Sequence, residues 1–173
     1  MALFWAWRPE DGVEQAEQRD HVPYRDWARA GFLELCEGDI VDYSRVEEVI
    51  REAADACATL AVDIDYRASD VPPDVGYGFI AIVREALSNA AKHSDASRVS
   101  VSVAAYPAFY RLVVHDNGSV PPPSDMLGDA PRADGGIGLS TMADRARALG
   151  GRCRFDYDRG FKVFATVPKG DPA

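Results

Sequence analysis

Four polar residues near the end of one segment form the first candidate site. Glu85 and Asn89 are four residues apart, so they would share one face of a helix, and Lys92 and His93 would extend that face. An amide oxygen beside a carboxylate suits Mg²⁺ that is held partly through water. The two basic side chains could contact phosphate oxygens. An ordinary solvated helix face explains the same spacing, and spacing alone favours it.

A second candidate is the tripeptide Asp116-Asn117-Gly118, which follows an alternating apolar segment. Asp116 could accept a hydrogen bond from an amino group, such as the exocyclic amine of adenine. Gly118 would let a ligand approach the backbone closely. The competing interpretation is a simple turn, because this tripeptide is typical of turns.

The third candidate is the glycine run Gly135-Gly136-Ile137-Gly138-Leu139, directly before a helical pattern. Glycines there expose backbone N–H groups at the positive end of the helix dipole, where phosphate binds. A flexible hinge fits a lone glycine run equally well. The run is not a Walker A loop, since no Gly-Lys-Ser/Thr follows. It is not a dinucleotide fingerprint, since no strand leads straight into it.

Hydrophobic periodicity predicts the elements that position these residues. Strands are expected at 61–67, 98–104, 110–115, 152–157 and 162–167, and helices at about 42–60, 74–93 and 139–149. This order predicts an α+β fold, a two-layer sandwich whose mixed, mostly antiparallel sheet is covered by helices on one face. Residues 117–134 form a loop long enough to be functional or mobile.

Composition limits the class of protein. The chain has 173 residues, of which 47% are hydrophobic and 27% charged, as in globular proteins with a real core. Its net charge of -9 argues against non-specific binding of nucleic acid. Three cysteines without a C-x-x-C spacing indicate reduced thiols in a cytoplasmic protein. No apolar stretch is long enough for a membrane span, so any membrane part of a sensor is expected outside this chain.

The order and spacing of the three candidates resemble the ATPase fold shared by histidine kinases, gyrase and Hsp90, known as the Bergerat or GHKL fold. Arg84-Glu-Ala-Leu-Ser-Asn-Ala-Ala-Lys-His-Ser resembles the asparagine box of the histidine kinases that are paired with helix-turn-helix response regulators. Val114-His-Asp-Asn-Gly resembles their first glycine box, and Gly136-Ile-Gly-Leu-Ser-Thr-Met resembles their second. The resemblance covers about residues 60–168 and implies an ATP-binding domain over 58–173.

The resemblance implies a role for each candidate residue. Asn89 would hold Mg²⁺ that bridges the phosphates of ATP, and Glu85 would orient a metal-bound water or the reacting group. Asp116 would read the adenine amine, and Gly118 would make room for the base. A lid formed by residues 119–134 would cover the phosphates. The implied nucleotide-binding set is Asn89, Lys92, His93, Asp116, Gly118, Gly136, Gly138, Leu139 and Met142, with Met142 packing near the base.

One position departs from the family pattern. The family usually has a threonine soon after the glycine that opens the last strand, near the adenine. Here Gly160 is followed by Phe161, and Thr166 lies too far along to be the same residue. The adenine contacts on that side are therefore expected to differ.

The implied activity is transfer of the γ-phosphate of ATP to a histidine on a separate segment, from which a response regulator receives it. His21 is the only histidine before the ATPase-like region, and Pro23 interrupts any helix around it, so it is not expected to be the phosphoacceptor. The sequence is also compatible with two alternatives. One is a serine or threonine kinase of the same fold, like the anti-sigma-factor kinases.

The other alternative comes from residues 1–57, an irregular segment ending in a helix. Residues 3–50, with Arg19-Asp-His-Val-Pro-Tyr-Arg-Asp-Trp and Gly38-Asp-Ile-Val-Asp-Tyr, resemble part of the nuclease half of phage large terminase subunits. That resemblance would imply a DNA-packaging fragment. The acidic charge and the missing motor loop argue against a working terminase.

Overall fold

The computed structural model of the chain describes residues 45–129 and 137–170. Within these ranges the elements follow in the order α1 (Val46–Asp55), β1 (Ala61–Arg67), α2 (Pro73–His93), β2 (Arg98–Ala105), β3 (Phe109–Asp116), a 3₁₀ turn (Ser124–Met126), α3 (Ile137–Ala148), β4 (Arg152–Tyr157) and β5 (Phe161–Pro168). The sheet has the order β1-β2-β3-β5-β4. Only β1 and β2 run parallel, so the sheet is mixed and mostly antiparallel, as predicted.

One face of the sheet carries the core. Side chains along β2, β3 and β5 alternate between buried and more exposed, as expected for a sheet covered on one face. The buried positions include Val99, Val101, Val103, Leu112, Val114, Val163, Ala165 and Val167. Helix α2 contacts β2, β3 and β5, and α3 contacts β4 and β5. The predicted α+β sandwich with helices on one face is therefore confirmed.

Helix α2 lies at the centre of the helical layer. It begins with Pro73 at its first position, where the missing N–H has no partner to lose, and Asp74 follows in the first turn. Lys92 and His93 lie in the last turn, where positive charge favours the helix dipole. Most of α2 is lined by buried residues, because the helix contacts α1, α3 and strands β2, β3 and β5.

Helix α1 is shorter than the predicted span of 42–60. It ends at Asp55, and the N–H of Cys57 then donates to the carbonyl of Ala54 at 2.9 Å in a turn. The N–H of Ala61 donates to the carbonyl of Ser97 at 2.9 Å, so the chain has already joined the sheet. The domain boundary between residues 57 and 58 stays a prediction. Because α1 packs on α2 and β1, a fragment that tests it should retain α1.

Several predicted features lie outside the described residues. These are the first 44 residues, which include His21 and most of the terminase-like segment, and residues 130–136 of the predicted lid, which include Gly135 and Gly136. In the part of the chain that the structure describes, none of the helices combines the length and apolar character needed to cross a membrane.

Cys153 and Cys57 provide a test of the packing around β4. Cys153 is 3% exposed, and burial raises the pKa of its thiol to about 12, whereas Cys57 is half-buried in the turn after α1. Since the thiolate is the reactive form, a maleimide at about pH 8 should label Cys57 in the native protein and label Cys153 only after unfolding. Peptide mass spectrometry reads out both sites. Equal labelling rates without denaturant would contradict the packing of β4.

Candidate functional site

Two glycines set how closely α2 and α3 approach each other. A Cβ on Gly138, in the first turn of α3, would overlap Glu85 Oε1 and lie 3.3 Å from Asn89 Nδ2. A Cβ on Gly78, near the start of α2, would lie 2.6 Å from Leu149 Cδ1. The two helices therefore run antiparallel, and Gly138 meets the predicted polar face of α2.

The polar residues of α2 divide into two pairs by exposure. Glu85 and Asn89 are half-buried under the first turn of α3, whereas Lys92 and His93 are exposed in the last turn of α2. The first pair is thus enclosed by protein on one side. The second pair is open to solvent, from which it could reach a ligand placed at the start of α3.

Asp116 ends β3 and is 7% exposed. Its Oδ1 accepts the N–H of Gly118 at 2.8 Å and the N–H of Phe161 at 3.1 Å. Within residues 45–129 and 137–170, no hydrogen-bond donor reaches Oδ2. An ionised carboxylate is an acceptor only, so Oδ1 holds two backbone segments together while Oδ2 is left to accept a ligand N–H.

Asn117 has a structural role that the sequence did not indicate. Its side-chain Oδ1 accepts the N–H groups of Ser97 and Arg98, both at 2.9 Å, and its Nδ2 donates to Ser97 Oγ at 3.2 Å. These bonds join the tripeptide after β3 to the segment that enters β2. The Asp116-Asn117-Gly118 segment is thus an Asx-type turn, closed by the bond from the Gly118 N–H to Asp116 Oδ1, and Asp116 remains a candidate ligand contact.

Asp95 fixes the start of the long loop. The backbone N–H of Ser119 donates to Asp95 Oδ1 at 2.7 Å, and the Ser119 hydroxyl donates to Oδ2. Both hydrogen bonds lower the pKa of the Asp95 carboxyl, and the bond from the Ser119 hydroxyl has the larger effect. A Cβ on Gly118 would overlap Ser94 Oγ at the end of α2, so glycine permits this close approach. Nothing in the sequence distinguishes Asp95 from any exposed carboxylate that follows a helix.

The first part of the predicted lid is attached at both ends. Beyond Ser119, the loop contains the 3₁₀ turn Ser124–Met126 and reaches Gly128, which has a φ of 101°. The N–H of Gly128 donates to the carbonyl of Phe155 at 2.7 Å, and Phe155 returns a bond at 2.9 Å. This bridge places the loop on the outer edge of β4. The lid assignment itself stays a prediction.

Gly160 allows the β4–β5 turn to approach β3. Its φ is 134°, and a Cβ there would overlap the carbonyl oxygen of Asp116 and lie 2.8 Å from His115 Nε2. A side chain at this position would push β5 away from β3. The glycine thereby brings the N–H of Phe161 within reach of Asp116. His115 Nε2 is buried here and has no partner among the described residues.

Two predicted nucleotide contacts on α3 are largely in the core. Leu139 is 7% exposed and Met142 is 1% exposed. Their side chains pack under α3, so a side-chain contact with a ligand would come through the floor of a pocket. That both residues contact the nucleotide stays a prediction.

Comparison with known proteins gives the family. Residues 76–171, more than half of the chain, match the family of histidine kinase-, DNA gyrase B- and HSP90-like ATPases. The nitrate/nitrite sensor protein NarX of Escherichia coli strain K12 is 39% identical over 95 residues, which are 54% of this chain and 15% of NarX. The sensor histidine kinase LnrJ of Bacillus subtilis strain 168 is 31% identical over 130 residues, 72% of this chain and 30% of LnrJ. The chain thus spans less than a third of either relative.

A solved structure shows the same fold. The ATP-binding domain of PrrB from Mycobacterium tuberculosis superposes with a TM-score of 0.58 at 23% sequence identity, covering 72% of this chain and 93% of that domain. The family match relates two features of the structure to each other. These are the contact of Gly138 with Glu85 and Asn89, and the buried carboxylate of Asp116. The chain belongs to the histidine kinase-, DNA gyrase B- and HSP90-like ATPase family, with an ATP-binding domain of the sensor histidine kinase type.

Proposed function

We propose that this chain is the ATP- and Mg²⁺-binding catalytic module of a two-component sensor kinase, which donates the γ-phosphate of ATP to a histidine on a separate segment. The observation that carries the proposal is the contact of Gly138 with Glu85 and Asn89. It brings two motifs, each weak alone, to one place. Asp116, with an available carboxylate oxygen, supplies the base-reading end of the same site.

The phosphate end would lie where the first turn of α3 meets α2. Backbone N–H groups at a helix start favour phosphate, and the missing Cβ of Gly138 lets Glu85 and Asn89 come close to that helix start. Lys92 and His93, both exposed, would add positive charge from the last turn of α2. In the described part of the chain, no three histidine, cysteine, aspartate or glutamate side chains converge to hold a metal ion.

The donor set that is present fits Mg²⁺ bound jointly by protein, phosphate and water. One amide and one carboxylate, Asn89 and Glu85, would hold the ion, which typically takes one or two protein ligands together with substrate phosphates. When bound, the ion would neutralise charge on the phosphates. Phosphoryl transfer needs mainly positioning and charge neutralisation, so a short list of residues is sufficient.

In the proposed reaction, an imidazole nitrogen of the acceptor histidine attacks the γ-phosphorus as the bond to the β–γ bridging oxygen breaks. ADP leaves with that oxygen, and the imidazole loses its proton. Glu85 would orient the attacking group or a water beside it. The acceptor histidine and the response regulator that takes the phosphoryl group would be contributed by segments other than the ATP-binding domain.

Asn89→Ala tests the metal end of the site. Removing the amide should leave ATP binding without metal unchanged and reduce the strengthening by Mg²⁺ about tenfold, the lower end of the effect of losing a supporting group at a metal site. Titration of the full chain with ATP, with and without Mg²⁺, measures both. Ser88→Ala, one residue away on the same helix, is the matched control. An unchanged magnesium effect in Asn89→Ala would rule out a metal role for Asn89.

A phosphotransfer assay tests the acceptor. The chain is incubated with labelled ATP and the phosphoacceptor domain of a sensor kinase, and the product is treated with acid. A phosphohistidine, which acid hydrolyses, would support the proposal. An acid-stable phosphoserine or phosphothreonine would instead support a regulatory kinase of the anti-sigma-factor type.

A further inference from the structure

Three side chains form a row across the end of the helix-covered face of the sheet. Asp116 ends β3, Phe161 begins β5, and the Phe161 N–H donates to Asp116 Oδ1 at 3.1 Å. Tyr157 ends β4 and is paired directly with Phe161. Directly paired residues of antiparallel strands present their side chains on the same face. The row therefore runs from a carboxylate through a phenyl ring to a phenol.

The phenyl ring of Phe161 packs on another aromatic ring and remains partly exposed to solvent. It stacks on Phe155, with ring centroids 6.1 Å apart and ring planes 18° from parallel. Phe155 is 1% exposed, so it forms a rigid backing, whereas Phe161 itself is only half-buried. Since His115 pairs with Lys162, Asp116 and Phe161 are the next residues along the two strands and project on the same face of the sheet.

Tyr157 contacts the turn after β3. Its hydroxyl donates to the carbonyl of Gly118 at 3.3 Å. The turn that contains Gly118 is also fastened to Asp95 through Ser119. Phe161 thus lies between two hydrogen-bonded neighbours, with Asp116 on one side and Tyr157 on the other.

We propose that Phe161 is a base-packing residue of the nucleotide pocket, with its ring forming the wall on which the purine of ATP lies next to Asp116. This inference rests on the proposed ATP-binding function. Aromatic packing accepts any base, because every base has a π face. Asp116 accepts only a base that presents an amino group. The two residues therefore divide recognition, with Phe161 supplying affinity for the ring and Asp116 selecting the amine.

The binding of two nucleotides separates these roles. Dissociation constants are measured for ATP and for purine riboside triphosphate, which lacks the amine, on the full chain and on Phe161→Leu. We expect Phe161→Leu to weaken both nucleotides by the same factor, about fivefold, which corresponds to the low end of base–aromatic stacking. Asp116→Asn should weaken ATP and leave the purine analogue unchanged.

Two further variants control for effects on the fold. Phe164→Leu makes the same chemical change on the same strand, but Phe164 pairs with Val113 on the opposite face, so both affinities should be unchanged. Phe161→Tyr keeps the ring and should keep both affinities. In proton NMR, bound ATP should show an upfield shift of the adenine protons in the parent and in Phe164→Leu, and a reduced shift in Phe161→Leu.

The outcomes are separable. Unchanged affinities and unchanged shifts in Phe161→Leu would overturn the base-packing role. So would a loss restricted to ATP, since Phe161 would then act only by positioning Asp116. Failure of the parent chain to bind either nucleotide would overturn the proposed function itself, and this inference with it.

Discussion

Asp116→Asn should weaken ATP binding by about 10- to 150-fold, the effect of losing a hydrogen bond to a charged group. Asparagine has the same shape and keeps an oxygen that can accept the N–H groups of Gly118 and Phe161, so the turn is preserved. The other oxygen becomes an NH₂ group. That group would face the adenine amine, and two donors cannot bond to each other.

Asparagine is a better test than alanine at this position. Asp116→Ala would leave the N–H groups of Gly118 and Phe161 without their acceptor, and each unpaired buried donor costs about 1–3 kcal/mol. The alanine variant would therefore lose stability as well as binding. Urea unfolding of both variants and titration with a fluorescent ATP analogue separate the two effects. Parent-like affinity in Asp116→Asn would refute the assignment of the base-reading carboxylate.

Glu85→Gln should slow phosphotransfer by about 10²- to 10⁴-fold, the range that a positioned acid or base contributes. Glutamine has the shape of glutamate, so its contact with Gly138 can be kept and ATP should still bind. What is lost is the negative charge that would help to hold Mg²⁺ and orient the reacting group. The rate of phosphohistidine formation on a phosphoacceptor domain supplied in trans measures the effect.

Gly138→Ala tests the position of Glu85, whereas Glu85→Gln tests its charge. The added methyl group would overlap Glu85 Oε1, the end of a flexible side chain, so the fold should tolerate it while Glu85 is displaced. Both variants should lose transfer while the midpoint of thermal unfolding stays close to that of the parent. If Glu85→Gln transfers at the parent rate, Glu85 has no part in the chemistry.

Much of the fold could be predicted because its elements repeat locally. The strand at Ala61–Arg67 alternates Val62, Ile64 and Tyr66 with polar residues, and its bounds were predicted correctly. Helix α2 was predicted within one residue, because its apolar positions recur at helical spacing and proline marks its start. Helix α1 was predicted too long. Its apolar pattern continues past Asp55, but the helix ends there because the chain must reach the sheet, where Ala61 pairs with Arg98.

Candidate site residues could be named from the sequence where they lie in a recognisable motif. Glu85, Asn89, Asp116 and Gly138 could be named from the sequence, and the contact of Gly138 with α2 agrees with that reading. The hydrogen-bonding groups that fix these candidate residues in place were not predictable from the sequence. They act across long sequence separations with no local pattern, as in the bond from the Phe161 N–H to Asp116.

Asp95 and Gly160 illustrate the same limit. The bonds from Ser119 to Asp95 join segments 24 residues apart, and an exposed carboxylate after a helix has no distinguishing neighbour in the sequence. Gly160 was recognised only as the glycine that opens the last strand. Its function as the point where β5 touches the backbone of Asp116 follows from its positive φ and from the space that it leaves.

Chemical-shift mapping of the backbone amides would locate the nucleotide on the full chain. Upon addition of ATP and Mg²⁺, the largest changes should fall on the amides of Gly118, Gly138 and Phe161. The amides of Ala105 and Tyr110, paired at the far end of β2 and β3, should remain unchanged. Saturable changes confined to the first set would support a nucleotide held between α2, α3 and the end of β3. Changes clustered at the far end, or none at all, would contradict it.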